Sequence, residues 1–76
     1  MWQDYIISDK DVLLGKPTIK GTRISVELIL ELLASGWTGQ QILESYPNVT
    51  EGALRAVFYY VHDCLKQELY FPIPAA

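Results

Sequence analysis

The chain has a single cysteine, Cys64, so an internal disulfide is excluded, and a small protein without one suits a reducing compartment. It also has a single histidine, His62, with no second His or Cys nearby at metal-ligand spacing, which argues against a zinc site. Cys64 and His62 stand two residues apart in a helical stretch and therefore point in different directions, so they make a poor catalytic pair. No glycine-rich phosphate loop follows a strand, and the scattered carboxylates form no convergent pair. The expectation is a protein that is not an enzyme and has no cofactor or metal. No apolar run approaches the ~20 residues of a membrane span. The opening "MWQDYIISDKD" is too acidic and polar for a signal peptide, so the expected location is cytoplasmic. Positive charge is scarce too: six Lys and Arg stand against nine Asp and Glu, a net charge of −3. A strong nucleic-acid footprint on a lone monomer is not expected from that balance.

What is present is apolar surface. Half of the 76 residues are hydrophobic, a large supply for a chain near the lower limit of a self-sufficient core. Small domains with spare apolar side chains often cover them with a partner, so a homodimer or a complex is expected.

The fold class read from the pattern is mainly α: an N-terminal β-arm or hairpin, then a three-helix, helix-turn-helix core. The whole chain, 1–76, reads as one domain, with the arm over 1–24, the helices over 25–69 and a tail over 70–76. "YIIS" (Tyr5 to Ser8) is a short aromatic and β-branched strand. Val12 to Leu14 is a further apolar segment, ended by Gly15. "PTIK" alternates, with Lys16, Thr18 and Lys20 on one face and Pro17 and Ile19 on the other. Pro17 cannot donate to a ladder, which predicts an edge strand. Ser25 is placed to cap a first helix whose exposed strip is only Glu27 and Glu31. So apolar a helix is expected to be central, and Gly36 to end it. Thr38 with Gln41 forms a capping box for the second helix, which buries Ile42, Leu43 and Tyr46. Thr50 caps the third, where Leu54, Val57, Phe58, Val61 and Leu65 recur at helical spacing up to about Leu69. Trp37 and Tyr46 are expected core anchors. Of Tyr59 and Tyr60, one can face the core while its neighbour points away.

The charge is unevenly spread. Through Ser25 the net is +1, and from Val26 onward it is −4. "GKPTIKGTRIS" holds Lys16, Lys20 and Arg23, three of the six basic residues. These cations could meet phosphate. Alternatively Arg23 could cap carbonyls or pair with a Glu, and the lysines could protect an edge strand. The "YPNVT" connection, with Val49 as its apolar turn residue, suggests a helix-turn-helix. That places Thr50 and Arg55 at the start of a recognition helix, with Arg55 the side chain suited to guanine. The DNA-binding candidates are thus Lys16, Lys20, Arg23, Thr50 and Arg55. Three-helix units also serve as protein-interaction or assembly modules without DNA binding, and this class stays open.

"GKP", "IKGTRI", "ELLASGW" and "ILESYPNVT" together resemble the bacterial DUF433 family, over roughly two-thirds of the chain. The resemblance implies a VapB-like antitoxin with a homeodomain-like core, paired with a PIN-like toxin ribonuclease. Its implied role is to neutralise the toxin and, as an operator-DNA binder, to repress the shared operon. The tail "YFPIP" either folds back on the protein's own core or serves as an apolar anchor, stiffened by proline, with Tyr70, Phe71 and Ile73 as partner-binding residues.

Overall fold

Three hydroxyl caps set the helices. The computed structural model describes residues 1–75. The Ser25 hydroxyl accepts from Leu28 N at 2.9 Å and opens α1, Val26–Ala34. Thr38 and Gln41 form the reciprocal capping box of α2, Gly39–Ser45, and Thr50 accepts from Ala53 N to open α3, Glu51–Lys66. Each cap satisfies a backbone N–H that would otherwise lack a partner.

Before the helices, a 3-10 turn at Trp2–Asp4 leads into β1, Ile6–Ile7, which pairs antiparallel with β2, Thr18–Ile19. Ile6 faces Ile19 and Ile7 faces Thr18. Between the strands, Leu13–Gly15 makes a second 3-10 turn in which Leu13 and Leu14 both have positive φ. The fold is therefore the expected one: a small N-terminal hairpin followed by three helices.

Two local expectations change. β2 is not an edge. On one side it meets β1, and on the other the chain returns so that Ile19 N donates to Ile24 O and Val26 N to Pro17 O, both at 2.9 Å. Pro17 fits because it contributes its carbonyl, which needs no N–H. This return also covers Thr18, which bridges to Ser25 and is buried together with Ile19, so the predicted alternation of faces does not hold.

The second change is the phase of α3. Its buried residues are Ala53, Ala56 and Val57, whereas Phe58 and Leu65 are each 53% exposed. Small side chains let other elements approach closely, and the large ones are left outside. The core joins these residues to Ile6, Ile19, Val26, Ile29, Ile42 and Val49. Ile29, Ile42 and Val57 are fully buried, each worth about 1.5–3 kcal/mol of transfer free energy. In α1 only Val26 and Ile29 are buried, and its leucines are half-buried. Leu43 and Tyr46 are half-buried beside Ile42, and Trp37 lies at the exposed margin rather than in the core. Tyr60 packs inward and Tyr59 outward.

The ends of α1 and α3 are built alike. Trp37 N donates to Leu32 O and Gly36 N to Leu33 O after α1, with Gly36 left-handed. Leu69 N donates to Cys64 O and Glu68 N to Leu65 O after α3, with Glu68 left-handed. Both are Schellman closures, and the second stops α3 at Lys66 rather than Leu69.

Candidate interaction surfaces of the arm, the third helix and the tail

The arm cations Lys16, Lys20 and Arg23 are held in different ways. Lys16 donates from Nζ to Glu27 Oε1 at 2.8 Å, tying the arm to the first turn of α1. The hydrogen bond and the charge attraction raise the Lys16 pKa and lower that of Glu27. Lys16 is thus already paired with a carboxylate. Lys20 is exposed on the hairpin, where its backbone N–H donates to Tyr5 O. Arg23 is held differently. The Thr22 hydroxyl donates to Ile19 O and accepts from Ile24 N, and Gly21 takes a φ of 80° that a side chain would strain. This tight turn sets Arg23 on an open groove of about 530 Å³ shared with Asp9 and with Asn48 of the α2–α3 turn. Among the described residues its guanidinium makes no ion pair.

At the start of α3, the Thr50 hydroxyl is committed to its cap. Val49 is buried, so it holds the turn as an apolar residue there should. Arg55 is exposed and borders a second open groove, of about 460 Å³, whose wall is the N-terminal segment. That wall was not anticipated. Trp2 donates from Nε1 to Asp63 Oδ2 at 2.7 Å and meets Tyr60 edge-on, with ring centroids 4.9 Å apart. Tyr5 lies over Gly52 so closely that a Cβ there would come within 2.7 Å of its hydroxyl. Burial pushes the Tyr60 hydroxyl pKa up, and the neighbouring Cys64 thiol adds to the effect. The signal for this contact was the small residues Gly52 and Ala56, one turn apart on the same side of α3. Such small residues carry no hydrophobic periodicity, so a pattern of large apolar side chains does not reveal the contact.

The tail residues Tyr70, Phe71 and Ile73 are 53, 94 and 89% exposed. They follow the closure at Glu68. Among the described residues no three His, Cys, Asp or Glu side chains gather as a metal site, and no helix is long and apolar enough to cross a membrane.

The family model described as "Protein of unknown function (DUF433)" matches residues 6–61, from β1 well into α3. The chain belongs to the DUF433 family. A crystal structure of a DUF433 member protein from Anabaena variabilis is similar, with a TM-score of 0.78 and 28% identity. The match covers 86% of this chain and 64% of that one, so the present chain spans less than two-thirds of that relative's length. No curated protein matches it. The family match includes the Lys16–Glu27 pair, Arg23 and Arg55, and it ends before the tail.

Proposed function

We propose that this DUF433 protein is the antitoxin of a type II toxin–antitoxin pair, and that it binds and neutralises a PIN-like toxin ribonuclease through its C-terminal tail. The observation that carries this is the exposure of Tyr70, Phe71 and Ile73 beyond the end of α3. Aromatic and branched side chains so exposed mark a surface meant for a partner. The prolines Pro72 and Pro74 limit the conformations the free tail must give up on docking.

Operator DNA is a second partner, bound through Lys20, Arg23 and Arg55, with Lys16 in a lesser role because Glu27 holds it. The competing function is a protein-interaction module without DNA binding. It is favoured by the start of α3, where Glu51 would repel phosphate and Thr50 serves as a cap.

Deletion of 70–76, followed by pull-down with the product of the adjacent gene and by a melting curve, tests the toxin reading. Lost capture with unchanged melting supports it. Retained capture, or a large fall in melting temperature, overturns it. For DNA, a gel-shift salt series separates the two functions. Replacing Arg23 by Ala should lower the salt dependence more than replacing Lys16, since only unpaired cations displace counterions in full. Absence of any shift at low salt leaves the interaction module standing.

A further inference from the structure

Helix α3 carries Leu54, Phe58, Val61 and Leu65 at steps of four, three and four residues, which aligns them in one stripe. The core and the N-terminal segment occupy its other sides, through Val57 and Ala53 and through Gly52 and Ala56. Phe58 and Leu65 each keep about half of their surface in solvent, and Tyr59 beside them is 59% exposed.

Phe58 stands between two hollows on this face. One, of about 270 Å³, lies between α2 and α3 against Gly39, Leu43 and Leu54. The other, of about 410 Å³, lies beside Tyr59 and His62. A knob flanked by hollows on the same face is complementary to itself. A two-fold related copy can seat its Phe58 in a hollow while its own hollow receives this Phe58.

Charge gives the direction of pairing. Helix α3 begins at Glu51 and ends at Lys66, both exposed. Full overlap of two antiparallel α3 helices sets each Glu51 against Lys66 of the other copy, at both ends, and Phe58 level with Tyr59, while Leu54 and Leu65, and Phe58 and Val61, lie two residues apart along the axis, within one turn. Parallel pairing would place Glu51 beside Glu51 and Lys66 beside Lys66. Arg55 also lines both hollows, so a second copy seated there competes with any DNA contact made through Arg55.

We propose that the outer face of α3 is a homodimer interface, in which α3 packs antiparallel on α3 of a second copy about a two-fold axis near Phe58 and Tyr59. The exposed parts of Phe58, Tyr59 and Leu65 supply roughly 300 Å² per copy, against the ~800 Å² per partner of a standard interface. The dimer is therefore weak and dissociates on dilution. It involves this chain alone, so its test is independent of any toxin or DNA.

Sedimentation of the purified full chain over about 1–100 µM, a range that brackets micromolar affinity, is the experiment. The wild type shows a monomer–dimer equilibrium. Phe58→Lys weakens it by about thirty-fold or more, as removal of a central aromatic anchor does. Melting at monomeric concentration stays close to wild type because the ring is half in solvent. Leu65→Glu gives the same outcome by a second route if Phe58→Lys folds poorly. Glu51→Lys and Lys66→Glu each weaken association up to about five-fold, and the double exchange restores it. A wild type that is monomeric throughout, or a dimer indifferent to both Phe58→Lys and Leu65→Glu, overturns the interface. Failure of the double exchange to restore association overturns the antiparallel arrangement.

Discussion

Helices α1 and α3 cover their apolar side chains to different degrees. "VELILELLA" is apolar nearly all round, yet none of its large apolar side chains is strongly exposed. "EGALRAVFYYVHDCLK" is more mixed, yet it leaves Phe58, Tyr59 and Leu65 in solvent. The difference lies in what packs on each. The leucines of α1 spread around the helix and are half covered by the elements near it, whereas α3 turns its smallest side chains inward. Gly52, Ala53 and Ala56 let the hairpin and Trp2 sit against the helix axis, and the bulky residues on the far side have nothing left to meet. Total hydrophobicity therefore predicts poorly which helix is sticky; the size of the residues on the covered face predicts it better.

Truncation of one apolar side chain on each helix gives the sharpest contrast. Ile29→Ala removes a fully buried side chain of α1 and should lower stability by about 2–4 kcal/mol. Phe58→Ala on α3 removes a larger side chain and should cost less than about 1 kcal/mol at concentrations where the protein is monomeric. Urea denaturation of both variants checks this. Similar losses would mean that the outer face of α3 is covered in solution, even in the monomer.

The N-terminal segment is what makes α3 different, and Trp2 is its anchor. Trp2→Phe keeps the ring contact with Tyr60 but removes the donor to Asp63, a hydrogen bond to a charged group that is only partly exposed. A loss of about 1–2 kcal/mol is expected. A double cycle with Asp63→Ala should recover most of it as a coupling term. Full additivity would show that the hydrogen bond does not hold the segment in place.

How far the sequence could be read follows the range of each interaction. Ser25, Thr38 with Gln41, and Thr50 were legible as caps because capping is settled within four residues of chain. Gly36 was legible for the same reason. Glu68 was not, since only the hydrogen bonds of Leu69 and Glu68 show that a carboxylate side chain occupies the left-handed position. The phase of α3 depends on Trp2 and Tyr5, some fifty residues away in the chain, and no periodicity within the helix contains that information. Thr18 was misread because Ile24 and Val26 return to cover it. Of the candidate site, Arg23 and Arg55 are both exposed, although for Arg23 the motif left a structural role equally open. The engagement of Lys16 by Glu27 and of Thr50 by its cap needed three-dimensional placement.

The two helix ends offer a smaller test of the same comparison. Both close with the same pair of hydrogen bonds, but Gly36 fills the left-handed position after α1 and Glu68 fills it after α3. A side chain there costs about 1 kcal/mol relative to glycine. Glu68→Gly should stabilise the protein by about that amount and raise the melting temperature by roughly 4–8 °C for a domain of this size. A destabilised variant would show that the Glu68 side chain makes a contact outweighing its backbone strain.

The smallest effect comes from the link between the arm and α1. The arm reaches α3 through the part-buried Trp2–Asp63 bond and reaches α1 through the exposed Lys16–Glu27 pair, whose side chains are 59 and 69% exposed. Solvent screens the second link, so its contribution is minor. Its pH dependence still has a definite form. Glu27 has a lowered pKa, so its share of stability is present above the usual value of 4.5 and is lost as pH falls through the lower folded value. Lys16 has a raised pKa, so its share is present below the usual value of 10.5 and is lost as pH rises through the higher folded value. Between those limits the pair contributes evenly. Lys16→Met should therefore produce a slight loss of stability that is flat from about pH 5.5 to 9.5, shrinks in high salt, and nearly vanishes when Glu27→Gln is already present. A loss that changes with pH inside that window would mean another titrating group is coupled to the arm, and the arm's tie to α1 would then not be this pair.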